Sequence, residues 1–314
     1  MERASASAPA SIANVGVGFD ILGHAFDAVR DRVTAIRESQ PGVRLGQVSG
    51  LVSSLPDSPR NNTALAAAQA VLDAAAAPFG VRLDIDKGVP LASGMGGSAA
   101  SAVAGAAAAN ALLPQPFSVE ELLPFALEGE RIAADPPHWD NVMASLLGGL
   151  VLAACEDPPL VHRLPAPKNL VAIVLHPAVE VETKAARALL RTEVPMALAI
   201  EHSRRVAAFV AGCVSGDLGL IRAGLEDVLV EPQRRHLLPA LAEVKQAALA
   251  AGALGCSFSG SGPSVFAWAL PEDADAVEDA MSWGLVEAGV AARAYRAPVD
   301  SPGVRVERVA EKVV

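Results

Sequence analysis

Hydrophobic and polar positions alternate with different periods along the chain. Val81, Leu83 and Ile85 alternate with Arg82, Asp84 and Asp86, the pattern of a strand with one buried face. Leu170–Leu175 is a continuous apolar run, read as a strand buried on both faces. Val33–Arg37 and Val43–Val48 are short β-like runs separated by Pro41-Gly42, and they read as a hairpin. Further strands are expected at Leu150–Ala154, Cys256–Ser259, Ser264–Ala269 and Val290–Tyr295, and Val304, Val306 and Val309 suggest a last one. Asn62 can cap a helix through Ala77, and a second alanine-rich helix starts at about Ser98. Ser118 with Glu121 fits a capping box that opens a helix to about Ala133, with Pro124 implying a kink or a later start. A short helix follows from about Asp140. Others are expected at about Lys184–Leu190, Met196–Val214, Leu218–Leu225, Ala240–Ala251 and Asp273–Gly284. The proline-rich stretch from Glu156 to Pro167 reads as a linker. It divides the chain into domains 1–160 and 161–314, with the final strand free to return to the first.

Composition narrows the class. The 314 residues are 52% hydrophobic and 19% charged, which supplies a core and excludes general disorder. The apolar excess is mostly alanine. The richest stretch, Ala99–Leu113, is too short and too weakly lipophilic for the ~18 residues of a membrane span. The first residues lack the basic start and apolar stretch of a secretory signal. A net charge of −10 with no basic block argues against nucleic-acid or membrane partners, so any bound anion needs a local site. Cys155, Cys213 and Cys256 are odd in number, widely spaced and without metal-ligand spacing. They read as reduced thiols of a cytoplasmic protein.

Chemistry concentrates in three glycine-rich loops. The stretch Pro90-Leu91-Ala92-Ser93-Gly94-Met95-Gly96-Gly97-Ser98-Ala99-Ala100-Ser101 lies between a strand and a helix. Its glycines allow close backbone approach to a ligand, and the amides at the helix start favour an anion. An ordinary β–α turn is the plainer reading. No lysine stands where a Walker A loop needs one, and the dinucleotide Gly-x-Gly-x-x-Gly spacing is missing. Upstream, Asn14 and Asp20 flank Gly16-Val17-Gly18 and could present an amide and a carboxylate to one small ligand, or simply cap a turn. The third loop, Ser259-Gly260-Ser261-Gly262-Pro263-Ser264, is either a plain hairpin turn or another site of close approach.

Together, and in this order, the three loops resemble the motifs of the GHMP kinases, the superfamily of galactokinases, homoserine kinases, mevalonate kinases and phosphomevalonate kinases. Within it the chain is most similar to the homoserine kinases. That similarity rests on Gly129-Glu130, on His138-Trp139-Asp140-Asn141-Val142, on Thr183 followed by Arg187, and on Glu231-Pro232-Gln233-Arg234.

The resemblance implies an α+β, two-domain fold, ribosomal-S5-domain-2-like at the N-terminus and ferredoxin-like at the C-terminus, with the active site between the domains. It implies ATP-dependent phosphorylation of the L-homoserine hydroxyl, a step toward threonine, with ATP and Mg²⁺ as cofactors and a possible homodimer. Another small-alcohol kinase of the superfamily, or a non-catalytic ligand-binding relative, is the alternative. By resemblance, Arg187 and Arg234 take the substrate carboxylate, with Arg235 excluded only by motif spacing. Asp20 and Asn14 take the ammonium, and His138 and Asp140 close the pocket. Asn141 and Thr183 orient the hydroxyl. The loop from Pro90 to Ser101 cradles the triphosphate, Ser98 and Glu130 hold the metal, and Asn62 meets the adenine or serves only as a helix cap.

Overall fold

The computed structural model describes residues 2–167 and 169–308. The chain begins β1 (Arg3–Ala13), β2 (Leu22–Glu38), β3 (Val43–Gly50), α1 (Thr63–Ala74), β4 (Gly80–Lys87) and α2 (Gly97–Asn110). It continues with α3 (Leu123–Glu130), α4 (Trp139–Leu147), β5 (Leu150–Glu156), β6 (Pro159–Leu164) and β7 (Val171–Pro177). Helices α5 (Thr183–Ala188), α6 (Met196–Ser215), α7 (Leu218–Gly224), α8 (Glu231–Arg234) and α9 (Leu241–Ala250) follow. The described chain ends with β8 (Gly255–Phe258), β9 (Val265–Ala269), α10 (Ala274–Glu287), β10 (Ala292–Pro298) and β11 (Arg305–Arg308).

Two sheets organise these elements. In the first the order is β11-β1-β2-β4-β3, with β5 pairing both β2 and β6; in the second it is β10-β7-β9-β8. The last strand therefore closes on the first, antiparallel to β1 from Ala4 to Ser7. Val309, read from the sequence as part of that strand, lies outside the described residues. Among the described residues, no helix is long and apolar enough to cross a membrane.

Helix α2 is the centre of the first unit. Every residue from Ala99 to Asn110 is buried, so it has no solvent face. Its small side chains let backbones approach closely. A Cβ on Gly105 would stand 2.5 Å from the Ala64 carbonyl oxygen of α1, and one on Gly129 of α3 would stand 2.5 Å from that of Thr63. A larger residue at either point would have to push two backbones apart. In the second unit, β8 and β9 are buried throughout, under a core that includes Val244 of α9 and Val277 and Met281 of α10.

Two expectations need correction, and one region carried no expectation. The runs at Val33–Arg37 and Val43–Val48 do not form a hairpin: β4 lies between them, antiparallel to β2 and parallel to β3. The chain from β3 crosses over through α1 before β4 takes that place, a non-local pairing that turn spacing does not reveal. The stretch read as a linker contains β6, paired with β5 from Leu150 to Glu156. We propose that the boundary between the units falls after Leu164, because β6 belongs to the first sheet. Finally, β1 and the first half of β2 had no counterpart in the sequence reading. Strand β1 alternates Ala with Ser, residues of modest strand preference, and is buried on both faces, so its two-residue period carries little polarity contrast.

The capping box is present. Ser118 N donates to Glu121 Oε2 at 2.7 Å and Glu121 N donates to Ser118 Oγ at 3.3 Å. The helix opens with a 3₁₀ turn at Glu120–Leu122, and Pro124 falls in the first turn of α3, so the start is delayed and not kinked.

Candidate active site

The three glycine-rich loops meet at one cleft of about 310 Å³. Backbone bonds stitch them together: Ser11 N donates to Met95 O at 3.0 Å, Gly260 N to Ala13 O at 3.2 Å, and Ser264 N to Ser93 O at 3.3 Å. Asn14 Nδ2 adds a bond to Gly260 O at 3.0 Å, and Ser259 Oγ adds one to Gly94 O at 2.7 Å. The loop 259–264 is thus the hairpin turn that joins β8 to β9, and it lines the cleft with Gly260 and Ser261.

The floor is the loop between β4 and α2. Gly96 precedes α2 at φ +68° and no side chain caps the helix, so its first amides are left to the cleft. Gly94, at φ +75°, passes so close to the third loop that a Cβ would stand 2.6 Å from the carbonyl oxygens of Gly262 and Ser259. Gly94→Ala therefore combines strain of about 1–3 kcal/mol with a clash, and is expected to weaken nucleotide binding at least about tenfold by calorimetry. Beneath the loop lies a lysine that the sequence reading did not find. Lys87 pairs with the buried Asp31 carboxylate and donates to Gly97 O at 3.0 Å and Ser101 Oγ at 2.9 Å. Asp31 Oδ1 in turn accepts from the amides of Gly88 and Val89 at 3.1 and 3.0 Å. Lys87→Met would strand that carboxylate and should cost about 3–5 kcal/mol in urea denaturation, with part regained by adding Asp31→Asn.

An acidic corner lies beside the floor. Glu130 is fully buried. Its Oε1 accepts from Ser98 Oγ at 2.9 Å and lies 2.9 Å from His138 Nδ1, while Oε2 is buried without a partner among the described residues. Burial pulls the His138 pKa down, but the hydrogen bond and charge of Glu130 outweigh it and leave the imidazole raised. One orphaned carboxylate oxygen beside a hydroxyl suits a hard divalent cation that takes few protein oxygens and completes its shell elsewhere. Among the described residues no cluster of three or more His, Cys, Asp or Glu forms a closed metal site.

The cleft also carries charge of both signs. Arg234 is 3% exposed, and Nε donates to Ala186 O at 3.1 Å. No carboxylate lies within salt-bridge distance of it among the described residues, and burial, helped by the Arg187 charge, pushes its pKa down to about 10. Arg235 is exposed and, unlike Arg234, does not line the cleft. Arg187 instead grips Asp20 in a two-pronged pair of 2.8 and 2.9 Å. Both guanidinium groups lie within 5.3 Å of the Phe19 ring centroid. Asp140 is buried, and desolvation together with the Asp20 charge raises its pKa to about 6.

Asn14, Asp20, Asn62, His138, Asp140, Asn141, Thr183, Arg187 and Arg234 all line the cleft, as do Leu91–Gly94, Gly96–Ser98 and Ser101. Glu130 reaches it through Ser98 and His138. Met95, Ala99 and Ala100 turn into the core, and Pro90 does not line the cleft. The Asn62 amide is spent on protein: Oδ1 accepts from Ala64 and Leu65 N, and Nδ2 donates to Pro56 O, which is the helix-cap reading. Asn141 Oδ1 accepts from Ser11 Oγ at 2.8 Å and its Nδ2 lies 3.2 Å from Asp140 Oδ1, so the amide orientation is fixed. Ser11, Phe19, Asp31 and Lys87 escaped the sequence reading. Lys87 is an isolated cation three residues before the loop, and nothing local in the sequence marks its pairing with Asp31.

The chain is similar in sequence and fold to known proteins. Residues 62–149 match the family "GHMP kinases N terminal domain" and residues 208–283 match "GHMP kinases C terminal". A homoserine kinase of Xanthomonas campestris pv. campestris is 44% identical over 307 residues, covering 98% of this chain and 94% of the relative. A homoserine kinase of Chlorobium phaeobacteroides is 37% identical, covering 98% and 100%. The crystal structure of homoserine kinase from Cytophaga hutchinsonii superposes with a TM-score of 0.93 at 40% identity over 98% of each chain. The L. major mevalonate kinase, at 18% identity and a TM-score of 0.69 over 93% of this chain and 94% of its own, shares the fold. The two-domain architecture, the cleft built by the three loops and these likenesses agree: the chain belongs to the GHMP kinases and, among them, to the homoserine kinase family.

Proposed function

We propose that the chain transfers the γ-phosphoryl group of ATP to the side-chain hydroxyl of L-homoserine, giving O-phospho-L-homoserine, in the cytoplasm. The observation that carries this reading is Arg234: a buried guanidinium without a salt-bridged carboxylate among the described residues, in the same cleft as a helix N-terminus that no side chain caps. An amino acid supplies the missing carboxylate, which arginine binds in a planar, two-pronged manner. Asp20 and Asp140 supply acceptors for its ammonium. The triphosphate lies along Gly94–Ser98, where amides and the α2 dipole favour negative charge.

Ser98 and Glu130 fit Mg²⁺ through the orphaned Oε2. When bound, the ion neutralises charge on the polyphosphate oxygens. Asn141 and Thr183 hold the acceptor hydroxyl in line with the γ-phosphorus. Its oxygen forms the new P–O bond as the bond to ADP breaks, and the proton passes to phosphate or water. The Asn141 amide, fixed by Ser11, orients and does not act as a base. In-line positioning and electrostatics are the main requirements of phosphoryl transfer.

Coupled detection of ADP with a panel of homoserine, mevalonate, pantoate and shikimate tests the reading. Homoserine should be turned over well above the rest, and a preference for any of the others would refute it. Asn141→Ala should lower kcat about 10²-fold with ATP affinity unchanged. Loss of nucleotide affinity with intact turnover would remove Asn141 from this role.

A further inference from the structure

Two residues assigned above to opposite ends of the amino acid bind each other. Arg187 donates from Nη1 to Asp20 Oδ2 at 2.9 Å and from Nη2 to Asp20 Oδ1 at 2.8 Å. The two side chains are 35% and 37% exposed, which puts the pair at the mouth of the cleft. Both partners are held in place. Asp20 sits at φ +61° with its amide donating to Asn14 Oδ1 at 3.3 Å, and Arg187 lies in the last turn of α5 beside Phe19. Deeper in, Arg234 and Asp140 are both buried and neither has a salt bridge among the described residues.

The cleft thus holds one ion pair and two hydrogen-bonded charges of opposite sign that have no salt bridge among the described residues. Any ligand carboxylate that takes Arg187 must take it from Asp20. If the ligand brings only a carboxylate, Asp20 is left without a cation near Asp140, and two carboxylates face each other. If the ligand also brings an ammonium, Asp20 regains a partner. Resting on the amino-acid-kinase reading, we infer that the amino acid exchanges the Asp20–Arg187 pair instead of joining it. Its carboxylate takes Arg187 together with Arg234, its ammonium takes Asp20, and the pair thereby admits zwitterions and rejects alcohols that carry a carboxylate alone.

The competing arrangement keeps the pair shut and seats the ligand on Arg234 and Asp140. The two differ in what removal of the Asp20 charge does to an ammonium-free substrate. The test compares kcat/KM for L-homoserine and 4-hydroxybutanoate, the same alcohol and carboxylate without the amine, in the full chain and in Asp20→Asn. Exchange predicts that Asp20→Asn lowers homoserine about 100-fold and raises 4-hydroxybutanoate about tenfold, because Arg187 is released to the carboxylate. A purely structural role for Asp20 cannot produce that gain. Unchanged or reduced use of 4-hydroxybutanoate in a folded Asp20→Asn would overturn the exchange and leave the kinase reading intact. Failure of the unmutated chain to phosphorylate homoserine would overturn both.

Should Asp20→Asn not fold by thermal melting, the unmutated chain still gives an answer. Propanoate inhibition of homoserine turnover should strengthen about fivefold when methylammonium chloride replaces sodium chloride at equal ionic strength, since the amine fragment then occupies Asp20. No such strengthening would count against the exchange.

Discussion

Replacing Arg234 by methionine is expected to lower kcat/KM for homoserine about 10³-fold while leaving the folded chain more stable, not less. The guanidinium is 3% exposed, and its hydrogen-bond partners among the described residues are carbonyls, Ala186 O at 3.1 Å and a long contact to Gly260 O at 3.4 Å. Burial, reinforced by Arg187, pulls its pKa well below the usual arginine range, to about 10. The folded state therefore holds this charge at a cost of roughly 3 kcal/mol, at about 1.4 kcal/mol per pKa unit. Methionine matches the stem and removes the charge. Urea denaturation should show a gain of about 1–3 kcal/mol, less whatever the lost hydrogen bonds contributed. The kinetic loss should fall on KM for homoserine, with KM for ATP unchanged. A variant that is less stable and keeps its homoserine KM would show that Arg234 is a packing residue.

Glu130→Gln is the second large effect, an expected fall of about 10³-fold in kcat with the fold preserved. The amide keeps an oxygen for Ser98 Oγ and His138 Nδ1, which now lie 2.9 Å from Oε1. It puts an N–H donor where the orphaned Oε2 stands. Leaving a buried carboxylate oxygen unpaired costs about 1–3 kcal/mol, so the substitution should not destabilise the chain. The concentration of Mg²⁺ needed for half-maximal turnover should rise. An independent readout is the titration of His138 by NMR. Its pKa is raised by Glu130 against the pull of burial, so it should drop in the variant. Turnover within about threefold of the unmutated chain would remove Glu130 from the metal site.

How much of this was legible beforehand differs from element to element. The alternation of Val81, Leu83 and Ile85 with charged residues gave β4 its buried face, because one side of that strand meets water. The capping box at Ser118 and Glu121 was readable because both partners lie within one turn. The neighbours of β4 were not, since pairing with β2 and β3 is settled by the crossover through α1 and not by the Pro41-Gly42 turn. Strand β6 was masked by Pro158-Pro159 at an exposed sheet edge, where proline is tolerated.

The site shows the same division. The three glycine loops declared themselves through residues that permit close backbone approach, and their resemblance to kinase motifs supplied the roles. Lys87 could not be read, because its meaning comes from Asp31, 56 residues away, and from a carbonyl of the loop. The sequence suggested a nucleotide cradle built of amides alone. In the structure a lysine supports that cradle from beneath, with its charge already matched by Asp31. Likewise the resemblance offered Asp20 and Arg187 as candidate ligand groups, but their mutual bond was not legible in the sequence.

A crystal structure with a non-hydrolysable ATP analogue and L-homoserine bears on all of this at once. The polyphosphate should lie on the amides of Gly94–Ser98 with its terminal group toward Asn141, and the homoserine carboxylate should rest on Arg234. Phosphates bound away from α2, or a carboxylate turned away from Arg234, would contradict the assignment of this cleft.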